Sequence, residues 1–300
     1  MEALLQWGLD LIVVIQQVRG PELDGLFRVA SFLGEPEFHL LVLPLLFWCV
    51  DFGLGARVSV FLLLSSHLNL YLKALFQQPR PFDFDPSLQL IPVEGYGLPS
   101  GHAQLAVVVW GSIGAWARKS WFWGVAIGLM VLIGFSRIYL GVHFPTDVLA
   151  GWAVGAVLLG LYLTMQPELE RWLAGLGLGQ QMLLALAVPL VLFLTHPLKD
   201  TATAMGTLAG AGVGLALTHR YAPFSARGPW WQRLLRFLTG SVIVVLLYTG
   251  FRMVFPGEES ALYLGFRFLS FGLIGLWGSL GAPWLFRLLR LVPEDQKRAI

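Results

Sequence analysis

The sequence predicts an all-α fold, a polytopic bundle of membrane-spanning helices. Of its 300 residues, 56% are hydrophobic and only 13% are charged, and the mean hydropathy is +0.70, whereas a soluble domain carries about a quarter charged residues. The apolar runs approach the roughly 20 residues that a helix needs to cross hydrocarbon. Because backbone polar groups in lipid are satisfied only in helices or closed barrels, runs of this length favour helices.

The first part of the chain, residues 1–36, is amphipathic. Charged residues interrupt both of its apolar stretches, and Gly20-Pro21 separates the two. We therefore expect two short helices that lie in the membrane interface. A first span over Leu4–Val18 is the alternative, but it is short and has Asp10 in its middle.

Nine spans are predicted after this region. Gly206, Gly210, Gly212 and Gly214 indicate close helix packing in the seventh of them. The predicted spans are 38–51, 56–76, 100–117, 121–140, 145–164, 181–197, 201–219, 235–254 and 262–286.

A polar interruption at 166–180 divides the spans into two groups. Residues 37–165 hold five spans and all of the candidate chemistry, so we predict that they form a catalytic transmembrane core. Residues 166–300 hold about four more spans and end in a basic tail. We predict that they form a C-terminal transmembrane extension with a cytoplasmic tail.

The distribution of Lys and Arg predicts the orientation, because cytoplasmic loops are rich in these residues. If the loop at Arg118-Lys119 is cytoplasmic, alternation of the spans places twelve basic residues inside and eight outside or at the outer border. The inner set includes Lys297 and Arg298 of the tail. The face that carries His143 is therefore predicted to be extracytoplasmic, in a multi-pass protein of the cell membrane.

The charge pattern and the cysteine count argue against nucleic-acid binding and exclude an internal disulfide. No basic cluster with interleaved aromatics lies away from the membrane flanks, so a nucleic-acid partner has no support. The only cysteine, Cys49, lies in an apolar run, so the chain cannot form an internal disulfide.

Three polar stretches interrupt the first group of spans at positions that alternation places on one membrane face, the extracytoplasmic one. Ionisable residues near lipid are costly and are usually functional. The first stretch ends the second span, the second begins the third span, and the third joins the fourth to the fifth. Their candidate residues are Lys73 and Arg80; Ser100, Gly101 and His102; and Arg137, His143 and Asp147.

These residue types suit a bound phosphate. Three cations are present, and the planar forks of Arg80 and Arg137 match phosphate oxygens. Ser100 is a favourable N-cap residue before an apolar run, and Gly101 allows close approach. The free N–H groups of such a helix start, with the positive end of its dipole, favour an anion.

Two histidines then flank the proposed anion. Asp147 follows His143 by four residues and so lies on the same helical face, although this spacing alone does not ensure a direct bond. A carboxylate in this position can hold the tautomer of an imidazole nucleophile and stabilise its charged form.

At these positions the sequence resembles the type 2 phosphatidic acid phosphatase (PAP2) superfamily. All three of its motifs are present: Lys73-x6-Arg80-Pro81, Pro99-Ser100-Gly101-His102 and Ser136-Arg137-x5-His143-x3-Asp147. The resemblance covers about residues 36–165, so that this region is expected to form a PAP2-like core. The chain departs from the family pattern only outside the motifs, where a first span is not predicted and about four C-terminal spans are added.

The resemblance implies a mechanism that uses neither a metal nor a cofactor. His143 is expected to attack phosphorus and form a phosphohistidine, with Asp147 orienting it. His102 is expected to protonate the leaving oxygen and then to activate water. The phosphoryl oxygens are expected to be bound by Lys73, Arg80, Ser100, Gly101 and Arg137.

The predicted function is therefore hydrolysis of a lipid phosphate, either a phosphomonoester or a diphosphate. Substrate classes that fit are undecaprenyl diphosphate, phosphatidic acid, phosphatidylglycerol phosphate and sphingoid-base phosphates. The alternatives are a lipid phosphotransferase and a non-catalytic lipid-phosphate binder or transporter. For the C-terminal spans we favour a packing surface or a homodimer interface over an added transport activity.

Overall fold

The computed structural model describes residues 2–293 and is helical throughout its regular elements; Lys297 and Arg298 of the predicted tail lie outside the described residues. Three short π- or 3₁₀-helices follow α-helices: Leu46–Val50 after α3, Pro86–Leu88 after α5 and Trp277–Gly281 after α12. The helices are α1 Glu2–Gln16, α2 Pro21–Phe32, α3 Pro36–Leu45, α4 Phe52–Phe76, α5 Pro81–Phe84, α6 Gly101–Ala117, α7 Ser120–Tyr139, α8 Pro145–Ala174, α9 Leu178–Thr195, α10 Lys199–Tyr221, α11 Trp230–Val254, α12 Tyr263–Leu276 and α13 Ala282–Leu288.

Seven helices in the described part of the chain are long and apolar enough to cross a membrane, which confirms a multi-pass membrane protein. The number is eight if α2 and α3, which meet at a bend of 54°, count as one span. Two predicted spans do not pass this test on their own. The helix α6 has 17 residues, and α3 passes only together with α2. The count of nine stays a prediction.

The eighth helix runs past the predicted end of its span at 164. It continues through Pro167 to Ala174, ten residues further. Polar contacts stabilise the added turns: Arg57 Nε donates a 2.7 Å hydrogen bond to Glu170 Oε1, and Arg171 pairs with Glu168. The charged residues at 168–171 therefore lie on a helix and not in the expected interruption.

The chain divides into two compact units. The first consists of Met1–His39 and Leu68–Thr164, and the second of Leu40–His67 and Met165–Ile300. The break at 164 falls beside the predicted boundary at 165. The predicted divisions at 36 and 165 nevertheless stay predictions about domains, since compactness alone defines the two units.

In the first unit the N-terminal helices pack against the core. Ile12 of α1 is fully buried in an apolar cluster with Phe144 and Val148. Gln16 Nε2 donates hydrogen bonds to the main-chain oxygens of Leu88 and Tyr139, at 2.9 and 2.8 Å. The region forms two short helices, as expected, and α1 is held by specific contacts; the location of both helices in the membrane interface stays a prediction.

Close packing of α6 against α8 depends on two glycines of α8. A Cβ atom at Gly151 would lie 2.5 Å from the main-chain oxygen of Ser100, and one at Gly155 would lie 2.8 Å from that of Gln104. The absence of side chains at these positions brings the start of α8 next to the start of α6. Both helix starts carry candidate site residues.

In the second unit α10 packs against α9 and α12. Gly206 and Gly210 of α10 lie against the backbone of α12 at Phe268 and Gly272, and Gly212 lies against Ala185 of α9. The predicted close packing in this span is therefore confirmed. A fully buried arginine, Arg236, donates hydrogen bonds to four main-chain oxygens, those of Trp48, Ser225, Arg227 and Gln232.

Candidate active site

The three motif stretches meet within the first unit, around a histidine–carboxylate pair. His143 Nδ1 lies 3.2 Å from Asp147 Oδ2, and both side chains are buried. The same carboxylate oxygen accepts a 2.9 Å hydrogen bond from the backbone N–H of Phe144. The direct contact that the spacing left open is therefore present.

The short turn between α7 and α8 brings the His143 side chain next to that of Asp147. The backbone N–H groups of Val142 and His143 both point to the carbonyl oxygen of Arg137, at 3.2 and 3.3 Å. Gly141 has a φ of +70°, a left-handed conformation that glycine adopts without strain. Pro145 then begins α8, where its fixed φ suits the first helical turn.

The other oxygen of Asp147 is held by a residue that the sequence did not single out. Gln78 Nε2 donates a 2.6 Å hydrogen bond to Asp147 Oδ1. Gln78 follows the end of α4, between the two cations of the first motif. Both oxygens of the carboxylate are therefore fixed, so that it presents a constant acceptor to the imidazole.

Arg80 connects the first motif to the pair. Its Nη1 lies 3.2 Å from His143 Nε2 and donates a 2.7 Å hydrogen bond to the carbonyl of Val142. Its Nε and Nη2 donate to the carbonyls of Gly95 and Glu94, at 2.6 and 3.1 Å. The guanidinium is thus fixed beside Nε2, the ring nitrogen of His143 that does not contact Asp147.

Lys73 is held by the same loop. Its Nζ donates a 2.8 Å hydrogen bond to the carbonyl of Tyr96. Together with the contacts of Arg80, this shows that main-chain oxygens at 94–96 orient both cations of the first motif. The loop between the first two motifs contributes through its backbone.

The start of α6 forms the second side of the site. Ser100 occupies the N-cap position, as predicted, but its hydroxyl makes no capping hydrogen bond. Its Oγ is buried and has no hydrogen-bond partner among the described residues. Its backbone N–H donates to the carbonyl of Asp147 at 2.9 Å, which ties the second motif to the third.

A polar side chain of α4 supports this helix start. Asn69 Nδ2 donates a 2.8 Å hydrogen bond to Gln104 Oε1 and lies 3.3 Å from the carbonyl of Pro99. A Cβ atom at Gly101 would lie 3.0 Å from Asn69 Oδ1. Gly101 therefore allows the close approach of Asn69, and the approach of an anion to its backbone stays a prediction.

Arg137 is buried, and its guanidinium contacts other side chains through Nη1 but not through Nε. Nη1 contacts Ser31 Oγ and lies 3.5 Å from Glu35 Oε1. Nε has no hydrogen-bond partner among residues 2–293. A buried polar atom without a partner is costly, and both Arg137 Nε and Ser100 Oγ are groups that bind phosphate oxygens. These two atoms fit an anionic ligand.

His102 pairs with a second carboxylate that the sequence analysis did not find. Its Nε2 lies 3.0 Å from Glu35 Oε1. Glu35 lies in the break between α2 and α3, in a Gly-Glu-Pro stretch that resembles a plain helix boundary. No sequence signal connects it to His102, because the contact depends on tertiary packing.

The electrostatics favour a neutral His143. Burial lowers the pKa of its imidazole well below the ordinary range, and the positive charges of Arg80, Lys73 and Arg137 lower this pKa further. A neutral imidazole has a lone pair on one nitrogen. Since Asp147 Oδ2 only accepts hydrogen bonds, Nδ1 carries the proton and Nε2 carries the lone pair.

Comparison with known proteins identifies the family. The PAP2 superfamily model matches residues 54–171, and a model described as the PAP2 superfamily phosphatase transmembrane extension matches residues 202–296. A phosphatidylglycerophosphatase B from Bacillus subtilis is 34% identical over 168 residues, covering 52% of this chain and 81% of that protein. The chain belongs to the PAP2 superfamily. This superfamily is a group of metal-independent lipid phosphatases.

Other PAP2 proteins resemble different lengths of the chain. A sphingosine-1-phosphate phosphatase 2 from Mus musculus is 23% identical over 314 residues, covering 89% of this chain and 88% of its own length. A lipid phosphate phosphatase delta from Arabidopsis thaliana is 29% identical over 55% of this chain, which spans only 44% of that protein.

A solved PAP2 structure supports the predicted architecture. The crystal structure of a transmembrane PAP2 type phosphatidylglycerolphosphate phosphatase from Bacillus subtilis matches with a TM-score of 0.50 and 25% identity. It covers 56% of this chain and 88% of that one. The predicted fold class, a PAP2-like helical core with additional C-terminal helices, is confirmed.

Proposed function

We propose that this PAP2 chain hydrolyses lipid phosphates through a phosphohistidine on His143. One observation carries the proposal. Asp147 Oδ2 engages Nδ1 of His143 at 3.2 Å, so the lone pair lies on Nε2, which faces Arg80 Nη1 at 3.2 Å. A nucleophile beside a fixed cation is suited to attack on phosphorus.

The first step transfers the phosphoryl group to the enzyme. The lone pair on His143 Nε2 forms a bond to phosphorus, and the bond from phosphorus to the lipid oxygen breaks. The electron pair of that bond stays on the lipid oxygen, which takes a proton from His102. Asp147 stabilises the positive charge that develops on the His143 ring.

The second step releases phosphate. His102, now neutral, takes a proton from water while the water oxygen forms a bond to phosphorus. The bond from phosphorus to Nε2 breaks, and its electron pair returns to the imidazole. His102 is then protonated again, and the protein is ready for another cycle.

The cations and the helix start bind the transferred group. Phosphoryl transfer needs positioning and neutralisation of the equatorial oxygens. In this chain Lys73, Arg80 and Arg137 supply the charge, and Ser100 and the backbone at Gly101 supply neutral donors. The unpartnered Ser100 Oγ and Arg137 Nε support this assignment.

Among the substrate classes, we propose sphingoid-base phosphates first. The mouse sphingosine-1-phosphate phosphatase aligns with 89% of this chain, so the likeness includes the C-terminal helices. The Bacillus phosphatidylglycerophosphatase B aligns with 52%. Phosphatidic acid, phosphatidylglycerol phosphate and undecaprenyl diphosphate follow as the other members of a substrate panel.

For location, we propose the cell membrane with the site on the extracytoplasmic side, supported by the bias of basic residues. The test is labelling of single cysteines in intact cells in a Cys49→Ala background. Asp85→Cys should react with an impermeant reagent, and Arg227→Cys should react only after lysis. The reverse pattern would contradict the orientation.

The activity is tested with the purified protein in detergent. Wild type should release inorganic phosphate from the panel in the presence of EDTA, and His143→Ala should release none while it remains folded. His219→Ala is the matched control, because His219 is an exposed histidine of the second unit. Activity that survives His143→Ala would contradict the proposal, and transfer of phosphate to another lipid would indicate a phosphotransferase.

A further inference from the structure

The break between α2 and α3 forms a wall of the active site. Gly34 lies against the imidazole of His102, since a Cβ atom there would be 2.7 Å from His102 Cδ2. Two residues of the same segment, Ser31 and Glu35, contact Arg137 Nη1. An N-terminal segment outside the three motifs is therefore part of the site.

The segment has a defined conformation. The backbone N–H groups of Gly34 and Glu35 donate to the carbonyls of Ser31 and Phe32, at 2.9 and 3.0 Å. A further contact holds α2 to α7: Tyr139 Oη donates a 2.6 Å hydrogen bond to Asp24 Oδ1. The carboxylate of Glu35 is consequently placed by the fold and does not depend on a free loop.

The charges around His102 indicate that the Glu35 carboxylate affects the protonation of this imidazole. Arg137 and Lys73 act on the imidazole as positive charges, and Glu35 is its negative neighbour. Glu35 in turn faces His102, Arg137 and His39. Burial opposes a protonated His102 most strongly, and the two cations oppose it further. A carboxylate at 3.0 Å from Nε2 is therefore the group that favours the protonated ring.

We propose that Glu35 is a positioning residue for the acid–base step, which rests on the proposed function above. It places a negative charge 3.0 Å from Nε2 of His102 and leaves Nδ1 to exchange the proton. In the first step Nδ1–H protonates the lipid oxygen, and in the second Nδ1 takes a proton from water. The site then has two histidine–carboxylate pairs: Asp147 orients His143 for attack, and Glu35 favours the protonated form of His102 that acts as the acid.

Glu35→Gln tests the charge with little change of shape, and Glu37→Gln is the matched control, an exposed glutamate two residues away. We expect Glu35→Gln to lower kcat/KM for a sphingoid-base phosphate by about tenfold or more, within the roughly 10²–10⁴-fold that acid–base catalysis supplies. The basic limb of the pH profile should move to lower pH, because protonated His102 loses its counter-charge.

A second substrate, nitrophenyl phosphate, distinguishes a function of Glu35 in proton transfer from a purely structural one. The nitrophenolate of nitrophenyl phosphate leaves without protonation, so the loss in kcat/KM caused by Glu35→Gln should be much smaller with this ester than with the alkyl phosphate. A structural defect would lower both rates equally. If Glu35→Gln proves unstable in thermal melting, Glu35→Asp, which keeps the charge but is shorter, should retain the pH profile with a lower rate.

Three results would overturn the inference. One is a Glu35→Gln enzyme with unchanged rate and pH profile, and another is an equal loss with both esters. The third is a lower KM at unchanged kcat, which would mean that Glu35 only competes with phosphate for Arg137. Failure of the proposed function is distinct from these, since wild type itself would then release no phosphate.

Discussion

Gln78 donates a 2.6 Å hydrogen bond to Asp147, the residue that contacts the proposed nucleophile. A residue between the two cations of the first motif thereby fixes a carboxylate of the third. The proposed nucleophile, its carboxylate, Gln78 and Arg80 are therefore parts of one chain of polar contacts.

Replacement of Gln78 by Met should weaken catalysis without unfolding the protein. A hydrogen bond to a charged group contributes about 1.5–3 kcal/mol, so we expect kcat to fall about tenfold to a hundredfold. Steady-state kinetics on a lipid phosphate measures this. Gln77→Asn, at the exposed neighbouring position, serves as the control, and an unaltered kcat in Gln78→Met would show that Asp147 needs no second support.

Asp147→Asn should cause a larger loss than Gln78→Met. An amide at this position can donate to the imidazole and so favour the tautomer that has its lone pair on Nδ1. The analogous change in a serine protease triad costs about 10⁴-fold, and we expect a loss of about 10³–10⁴-fold in kcat. A thermal melt near that of wild type would exclude unfolding, and a loss below tenfold would contradict the orienting function.

Ser100→Ala should affect ligand binding more than stability. Its buried hydroxyl has no partner among the described residues, so its removal leaves no broken hydrogen bond in the free protein. Inhibition by orthovanadate, a phosphate mimic, should weaken by about threefold to tenfold, as expected for the loss of one hydrogen bond of about 0.5–1.5 kcal/mol.

The control for Ser100→Ala is Ser112→Ala on the same helix, where the hydroxyl donates a 2.6 Å hydrogen bond to the carbonyl of Val108. This change should leave vanadate inhibition as it is. Equal inhibition of the Ser100→Ala and wild-type enzymes would remove Ser100 from the phosphate site.

Gly151→Ala should destabilise the first unit. The added methyl group would lie 2.5 Å from the main-chain oxygen of Ser100, so α8 must move away from α6, at a cost of about 1–3 kcal/mol. Thermal melting in detergent measures the change. Gly160→Ala on the same helix is the matched control, because nothing lies within 4 Å of its Cβ position; similar melting of the two variants would contradict the packing argument.

The pH dependence of kcat/KM should reflect a neutral His143. Burial and three nearby cations lower the pKa of this imidazole, so the acid limb should lie below the ordinary histidine value of about 6.5. An acid limb at or above that value would contradict the assignment.

The same shift predicts a loss of stability in acid. The unfolded chain binds a proton to His143 at a higher pH than the folded protein does, so the free energy of unfolding falls as the pH drops below about 6.5 and towards the lowered folded value. Thermal melting at several pH values should show this decrease for wild type and a smaller one for His143→Gln.

The sequence was sufficient to predict the motif residues of the site, but not the residues that hold them in place. Lys73, Arg80 and His143 could be found because residue type, spacing and span alternation all place them on one face. Gln78 and Glu35 could not, since their partners lie far away in the sequence and the contacts depend on packing. Glu35 in particular lies in a stretch that resembles an ordinary helix break.

Two local features also differ from simple sequence rules. Ser100 occupies the expected N-cap position, but its hydroxyl does not cap the helix, which leaves it for a ligand. The helix α8 continues through Pro167, because the ion pair between Arg57 and Glu170 and the adjacent polar turns stabilise the extension.

Direct detection of the phosphohistidine tests the central claim. Protein mixed with a radiolabelled lipid phosphate is quenched in base within milliseconds, digested, and analysed by peptide mass spectrometry. We predict an acid-labile, base-stable phosphate on the peptide that contains His143, and none in His143→Ala. Phosphate release by wild type without any label on His143, or label that persists in His143→Ala, would contradict the account.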